Sequence, residues 1–514
     1  MHHAQGIVQP TRKPAPCCSG LGSLVWLAGP TPQRNGAAVS ERVFVISDLH
    51  LGGEPGFQTM PPAGQACLAA FIRRVTGQHS AEQTAHLVLA GDLVDFLAET
   101  PFVALTTDEG EAVRKLSRIL ADSAEIWDAL AAHVQAGAPL SLLLGNHDVE
   151  LSLPGPRRLL LERLGHGRVD FLDDDRAWVR GPLLIEHGNR YDGWNVVDHD
   201  GLRRLRAALS RREEAPAITV QPGSEMVATL MNPLKRKYSF IDLLKPETET
   251  VPPLLALLEP ALLSDLRRMY ELARLGLRAD QGQGTRDLSS PGTSAAPAHS
   301  ARLQALTESL ASSASEMGGA GIDESQASQG VGEAGSRGLS EILDFASMWF
   351  AARTSSSRSA PLLRRLRTAL LAQAGSAMQA LHTAYEQDSY LDAARDSAQR
   401  GFQVVIYGHT HLAKRVDLGG ALYLNTGTWA DQMTLPAHTL DLAADEALVL
   451  SELAEFAEDL AHDRLDRYRR RLASFACVDL TADLRIASAD LFRFTDRGEA
   501  APIPDGVLTF DVTP

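Results

Sequence analysis

The chain has 514 residues, of which 44% are hydrophobic, so it is long enough for one large domain with insertions or for two to three domains. Its 64 acidic residues outnumber its 49 basic residues, and the net charge of -15 opposes delocalised binding to a nucleic-acid backbone or an anionic membrane. The four cysteines include no C-x-x-C pair, which argues against a disulfide framework and a thiolate zinc site and favours a reducing, cytoplasmic compartment.

The first 40 residues are rich in Pro, Gly and Ser, and we expect a disordered leader there, with a start codon placed too early as the alternative. The apolar piece at 21–29 is too short to cross a bilayer. No later stretch reaches the roughly 18 uninterrupted apolar residues that a transmembrane helix needs. The sequence therefore predicts no transmembrane segment.

Five apolar runs are each followed at once by polar residues, and they lie at 42–50, 86–95, 140–148, 183–192 and 403–411. A sixth run of the same kind lies at 421–429, and helical periodicity appears at 67–75 and 111–134. Alternating strands and helices predict an α/β architecture, with function carried at the carboxyl edges of the strands.

The pattern changes between about 197 and 400, where helical spacing at 201–214, 254–277 and 361–387 surrounds a Ser- and Gly-rich stretch. We predict one domain in two parts, 41–196 and 401–514, interrupted by a helical insertion or cap at 197–400 with a disordered loop at 281–338. A passive spacer remains the alternative for the insertion. In the tail, 453–473 predicts a helix with the run Arg469, Arg470 and Arg471 on its solvated face, and 475–483 and 489–496 predict closing strands.

The strand ends carry the ligand types that two close divalent ions need, namely a carboxylate that can bridge them plus further oxygen and imidazole groups. In chain order these residues are Asp48, His50, Asp92, Asn146, His187, His409 and His411. A single D-x-H or H-x-H pair is a weak signal, but five separate strand ends each supply a suitable side chain. The set contains no thiolate, which favours Mn, Fe or Zn and disfavours Ca.

These residues stand in five motifs, which are DLH at 48–50, GDLVD at 91–95, GNHD at 145–148, the lone His187, and GHTH at 408–411. In this order they resemble the calcineurin-like metallophosphoesterase family. The resemblance covers 42–192 and 403–429 and implies a four-layer α/β/β/α sandwich with a dimetal site at the strand ends. It also implies that Asp48, His50 and His411 hold one metal, that Asp92 bridges, and that Asn146, His187 and His409 hold the second.

The resemblance further implies that His147 faces the substrate and protonates the leaving oxygen, with Asp95 as its orienting partner. The implied activity is hydrolysis of phosphoric ester or phosphoanhydride bonds by a metal-bridging hydroxide. A non-catalytic binding or scaffolding protein on the same fold is the competing hypothesis. The complete ligand set favours the enzyme, because a degenerate scaffold would be expected to lose at least one ligand.

The loop at 186–195 resembles that of a bacterial subgroup that includes the UDP-2,3-diacylglucosamine pyrophosphatases, in which a helical insertion receives acyl chains. Asn189 and His147 stand where that subgroup usually has Asp and Arg. The substrate therefore stays open between a phosphorylated small molecule, a lipid-linked pyrophosphate and a phosphoprotein. Peripheral membrane contact through the cap also stays open, whereas a nucleic-acid substrate is disfavoured by the charge.

Three local interpretations remain. The basic residues of the insertion either attract an anionic substrate or form surface salt bridges. These residues are Arg203, Arg204, Arg206, Lys235, Arg236, Lys237, Arg364 and Arg365. Asp192 is interpreted as a partner of His187, and Asn195 and Asp198 to Asp200 as ordinary loop polarity. Trp429 is interpreted as a buried packing residue.

Overall fold

The computed structural model describes residues 39–165, 167–236, 238–244, 254, 360–495, 497–508 and 511–512. The predicted loop at 281–338, residues 1–38 of the predicted leader, and all but one residue of the predicted helix at 254–277 lie outside the described residues.

The strands alternate with helices along the chain and are numbered in chain order. They are β1 (Val39–Ile46), β2 (Thr84–Ala90), β3 (Leu140–Leu143), β4 (Val169–Leu172), β5 (Trp178–Arg180), β6 (Leu183–Ile185), β7 (Val404–Tyr407), β8 (Ala413–Asp417), β9 (Leu422–Thr426), β10 (Gln432–Met433), β11 (Arg469–Arg471), β12 (Ser474–Thr481), β13 (Ile486–Phe494), β14 (Ala500–Pro502) and β15 (Asp511–Val512).

The helices within the described residues are α1 (Pro62–Thr76), α2 (Glu109–Asp122), α3 (Ala124–Gln135), α4 (Pro154–Leu164), α5 (His199–Ser210), α6 (Pro222–Met226), α7 (Asn232–Lys235), α8 (Ala360–Ala380), α9 (Asp388–Gln399) and α10 (Glu446–Ala461). A π-helical turn at Val227–Met231 joins α6 to α7. No helix in this described part of the chain is both long and apolar enough to cross a membrane.

Two sheets form the centre of the molecule. The first has the order β14-β13-β12-β1-β2-β3-β4, and the second has the order β5-β6-β7-β9-β8. The pairs from β1 to β4 are parallel, and so are β6 with β7 and β7 with β9. A small third sheet has the order β10-β11-β15.

Three apolar clusters separate four layers. Helices α1 to α4 cover the outer face of the first sheet, the two sheets face each other across a second cluster, and α9 covers the outer face of the second sheet. In β1, Phe44 and Ile46 pack under the helices while Val43 and Val45 point between the sheets, because successive side chains of a strand alternate in direction. The predicted α/β fold is confirmed.

The prediction of one continuous helix at 111–134 was wrong, because the chain forms two helices that meet at Ser123. The Ser123 hydroxyl donates to the carbonyl of Ile119 at 2.6 Å and accepts from Trp127 Nε1 at 2.9 Å. Its φ of -118° and ψ of 30° are not helical, so the side chain stabilises a break between α2 and α3.

The run of three arginines in the tail is not on a solvated helix face, as the sequence had suggested, but forms strand β11. Arg471 pairs with the buried Asp431 at 2.5 Å, and Arg469 lies 3.7 Å from the same carboxylate. The pairing of β11 with β10 and β15 and the buried carboxylate between two of the arginines stabilise the extended conformation. The closing strands predicted for the tail are confirmed as β12 and β13.

The insertion and the tail pack against each other beside the sandwich. Apolar residues of α8, among them Leu362 and Leu366, and the segment 238–244 enclose one cluster with α10 residues such as Leu453 and Phe456. Leu244 also forms a bridge with Met433 of β10. The described part of the insertion is therefore attached to the C-terminal part of the chain.

Candidate dimetal site

The carboxyl ends of β1, β2, β3, β6 and β7 meet at one edge of the two sheets. The Asp48 amide donates to the carbonyl of Gly91 at 3.1 Å, and the Gly408 amide donates to the carbonyl of His187 at 2.8 Å. His187 Nδ1 lies 2.9 Å from the carbonyl oxygen of Ala90, which joins the second sheet to the end of β2 in the first. The predicted site residues are thereby brought to a common place.

A first cluster contains Asp48, His50, Asp92 and His411, whose ligand-capable atoms all lie within 4.8 Å of one another. His50 Nε2 lies 3.0 Å from His411 Nε2, and His411 Nε2 lies 3.3 Å from Asp48 Oδ1. Two imidazole nitrogens and two carboxylates that converge at such distances have the composition of a site for a divalent cation.

A second cluster contains Asp92, His187 and His409, again with ligand-capable atoms within 4.8 Å of one another. His187 Nε2 lies 3.2 Å from Asp92 Oδ2. The amide oxygen of Asn146 is buried and makes no hydrogen bond to any described residue. A buried acceptor without a partner is costly unless another group binds it, and a metal ion would satisfy this oxygen.

The backbone at the clusters is strained. Positive φ angles occur at Asp48 (54°), His50 (44°), Asp92 (51°), His409 (70°) and His411 (62°). Each such residue costs on the order of 1–3 kcal/mol, and this kind of strain is concentrated at functional sites. The strain explains how Asp48 and His50 both reach the first cluster from a bend rather than from a regular strand. It likewise lets His411 enter the first cluster while His409 enters the second.

The glycine of GNHD is required by packing against the shared carboxylate. A Cβ atom at Gly145 would lie 2.5 Å from Asp92 N and would overlap Asp92 Oδ1. Only glycine lets the loop after β3 pass this close to the loop after β2. The motif therefore contains a steric requirement beside its candidate ligand.

We expect Gly145→Ala to lower Mn(II) affinity by at least about tenfold, because the added methyl group displaces the carboxylate that both clusters share. Isothermal titration of the purified protein with Mn(II) measures this. Gly110→Ala, at the exposed start of α2, is the matched control and should bind Mn(II) as the wild type does. Wild-type affinity in Gly145→Ala would contradict the packing argument.

The remaining predicted pair, His147 and Asp95, lies beside the first cluster. His147 Nδ1 is 3.3 Å from Asp95 Oδ1, and the rings of His147 and His50 are 4.8 Å apart. Asp95 Oδ1 also accepts from the amides of Leu97 and Ala98, so its carboxylate is held by a turn of the backbone. The imidazole is thus oriented by a fixed acceptor.

Comparison with known protein families agrees with this geometry. Residues 41–222 match the family model described as calcineurin-like phosphoesterase. The chain carries a calcineurin-like phosphoesterase domain. It is a hydrolase that acts on phosphoric ester bonds. A search of curated proteins found no match to this chain.

The matched segment ends before β7, so His409 and His411 of the two clusters come from beyond it. They reach the site because β7 pairs in parallel with β6, whose end carries His187. The match does not extend to the subgroup of the UDP-2,3-diacylglucosamine pyrophosphatases, and that resemblance stays a hypothesis.

Opposite charges within the candidate site stabilise one another. Burial by itself lowers the pKa of His147, but the charges of Asp95 and Asp92 outweigh it and raise this pKa to about 9. At Asp48, burial alone would raise the pKa, but hydrogen bonding with His411 and the charge of His187 hold it at about 2. The carboxylates are therefore ionised and ready to hold cations.

Asp148, the last residue of GNHD, was not among the predicted site residues. Its two carboxylate oxygens accept from the amides of Gly145 and Leu93, both at 2.7 Å. Burial, followed by the charge of Asp92, raises the pKa of Asp148 to about 7. The side chain joins the loops that carry Asp92 and Asn146. In the sequence, only its place at the end of the GNHD motif could have indicated this role.

The interpretation of Asp192 as a partner of His187 was wrong. Asp192 Oδ2 lies 3.1 Å from His409 Nε2, whereas His187 uses its Nδ1 for the Ala90 carbonyl. Asn195, interpreted as ordinary loop polarity, contacts both Asp192 and Asn146. The short loop after β6 folds back over the site, and sequence distance alone could not show which imidazole it meets.

A buried carboxylate from the end of the insertion supports the GHTH loop. Glu386 accepts from Tyr423 Oη at 3.0 Å and from Thr410 Oγ1 at 3.4 Å. Asn425 Nδ2 donates to the carbonyl of Gly408 at 2.7 Å and to Thr410 Oγ1 at 3.1 Å. The strained loop between the two histidines is therefore fixed by two polar side chains, Glu386 and Asn425, and Tyr423 holds Glu386 in place.

Most of the basic residues singled out in the insertion make local contacts. Arg203 pairs with Asp200 at 3.0 Å, Arg204 with Asp198 at 3.9 Å, Lys235 with Asp242, and Arg364 with Glu446 at 2.6 Å, while Arg206 donates to the carbonyl of Asp173 and Arg236 lies over the Phe102 ring. Lys237 lies outside the described residues. These contacts favour surface salt bridging over a continuous anion-attracting face.

Trp429 is fully buried against Phe71, with ring centroids 5.1 Å apart, and its Nε1 donates to the carbonyl of Ser474. The interpretation of this residue as a packing tryptophan is confirmed.

Proposed function

We propose that this phosphoesterase hydrolyses phosphomonoester, phosphodiester or pyrophosphate bonds with two divalent metal ions, and that the insertion between β6 and β7 selects the substrate. One observation carries the proposal. Asp92 belongs to the first and to the second cluster, so a single carboxylate is available to two ions at once. A site that holds only a structural ion would have no need of a shared ligand between two sets.

The residues present fit such a pair of ions. The proposed ligands are Asp48, His50 and His411 for one ion, Asn146, His187 and His409 for the other, and Asp92 for both. The unpartnered amide oxygen of Asn146 and the approach of His187 Nε2 to Asp92 Oδ2 support this assignment. When bound, a pair of divalent ions supplies Lewis acidity toward the phosphoryl oxygens and a nucleophile at neutral pH. The ligand chemistry suits Mn, Fe or Zn.

His147 is proposed to deliver a proton to the leaving oxygen. Asp95 faces its Nδ1, which leaves Nε2 as the atom that meets the substrate. The negative charge of Asp95 also stabilises the imidazolium form from which the proton is given. His147 thus transfers the proton, and Asp95 orients the His147 imidazole.

The insertion is proposed to act as a cap that receives the remainder of the substrate. Its α7 contacts the catalytic side of the sandwich, because Asn232 Nδ2 donates to the carbonyl of Leu97, two residues after Asp95. A phosphorylated small molecule or a lipid-linked pyrophosphate fits this arrangement, and the latter would bring the cap near a membrane surface. The low cysteine content supports placing the enzyme in the cytoplasm.

The test is hydrolysis of aryl phosphomonoesters and phosphodiesters by the purified, metal-depleted chain after addition of Mn(II), Zn(II) or Fe(II). We expect no activity before addition and metal-dependent turnover after it. A chain that binds the ions stoichiometrically but hydrolyses neither type of ester would contradict the proposal and favour a scaffolding role.

A further inference from the structure

Two proposed ligands of the second ion, Asn146 and His409, are joined by a loop that the proposed mechanism does not use. Asn146 Nδ2 donates to Asn195 Oδ1 at 3.4 Å, and Asn195 Nδ2 donates to Asp192 Oδ2 at 2.7 Å. The same Asp192 oxygen lies 3.1 Å from His409 Nε2. One chain of hydrogen bonds therefore connects the end of β3 in one sheet to the end of β7 in the other.

The direction of these bonds fixes the orientation of the Asn146 amide. Because its Nδ2 donates to Asn195, its Oδ1 must point the other way, and this oxygen is the buried atom that has no described hydrogen-bond partner. An amide turned by 180° would present a donor where a cation needs an oxygen. Asn195 thus determines which atom Asn146 offers.

The linking residues are themselves held. The backbone carbonyl of Asn195 accepts from Asn189 Nδ2 at 2.9 Å, and Asp192 Oδ1 accepts from the amide of Trp194 at 3.0 Å. The first turn of α6 packs closely enough that a Cβ atom at Gly223 would overlap Asn195 Oδ1. Neither Asp192 nor Asn195 needs to reorganise for the chain of bonds to form.

We propose that Asp192 and Asn195 are positioning residues for the second ion, Asp192 by orienting the His409 imidazole and Asn195 by orienting the Asn146 amide. This inference rests on the proposed dimetal function. Partners that orient the ligands of a metal contribute about 10–100-fold to its affinity. Because Asp192 and Asn195 also bond to each other, the losses of affinity should be less than additive when both are removed.

The test is titration of the metal-depleted full chain with Mn(II) alone. In Asp192→Ala and Asn195→Ala we expect the affinity of one of the two ions to fall by about 10–100-fold while the other ion binds as in the wild type. The double variant should lose less affinity than the sum of the losses in the two single variants. Asp200→Ala, an exposed side chain on the same connection that pairs only with Arg203 among the described contacts, is the matched control.

The metal-depleted variants should unfold at the temperature of the wild type, because the side chains act on ligand orientation rather than on the core. Asp192→Asn keeps the volume of the side chain, and it replaces Asp192→Ala if the latter unfolds early. Unchanged affinity for both ions in the variants, or additive losses in the double variant, would overturn the positioning role. A wild type that binds fewer than two ions would instead overturn the proposed function.

Discussion

Asp92→Ala is expected to abolish hydrolysis, with a loss of at least about 10³-fold in kcat/KM, and to remove metal from the protein as well. Asp92 is 1% exposed, and its carboxylate lies 3.2 Å from His187 Nε2 and 3.8 Å from His50 Nε2. Each of the two clusters loses a ligand with this single change. The other proposed ligands each serve one ion, so their removal should cost less; His50 also lies in a third group of ligand-capable side chains, with Asp95 and His147.

Elemental analysis and steady-state kinetics of the same preparation measure both effects. Asp92→Asn removes the charge but keeps the volume, and it should resemble Asp92→Ala if the charge is what matters. Asp122→Ala, at the exposed end of α2, is the control. If Asp92→Ala retains two ions per chain, the shared-ligand assignment is wrong.

His147→Ala is expected to reduce kcat by a factor that depends on the leaving group of the substrate, while the metal content of the protein stays unchanged. An alkyl leaving group needs a proton, and the loss of a general acid should slow its release by about 10²–10⁴-fold. A nitrophenyl leaving group departs as a stable anion, so its release should slow far less. His147 is not among the proposed ligands, and its contact with Asp95 serves orientation.

Comparing kcat for alkyl and nitrophenyl esters of the same phosphate measures this dependence. His462→Ala, an exposed histidine just after α10, should behave as the wild type with both substrates. Equal losses for the two leaving groups would mean that His147 binds the phosphoryl group rather than giving a proton. Loss of metal from His147→Ala would place this residue among the ligands.

Much of the fold and of the candidate site could be predicted because each site residue directly follows an apolar run. Phe44 and Ile46 face the helices while Val43 and Val45 face the second sheet, and this two-sided burial produces the continuous apolar pattern that marked β1. Parallel strands bring their carboxyl ends to one edge, so residues distant in sequence converge there. The proximity of Asp48, Asp92 and Asn146 follows from this rule, whereas the proximity of Asp48 to His411 also requires the second sheet to pack against the first.

Other features could not be read from the sequence because they depend on loops. Asp192 could reach either His187 or His409 by sequence distance, and only the return of the loop over the site selects His409. Arg471 looked like a solvated helix residue until the buried Asp431 supplied its partner, 40 positions away. Contacts of this kind depend on tertiary structure rather than on local propensity.

The most direct test of the central claim is an anomalous diffraction map of crystals grown with Mn(II). The proposed function predicts two peaks about 3.5–4 Å apart with Asp92 between them. One peak should be surrounded by Asp48, His50 and His411, and the other by Asn146, His187 and His409. A single peak, or two peaks that do not share Asp92, would contradict the dimetal assignment.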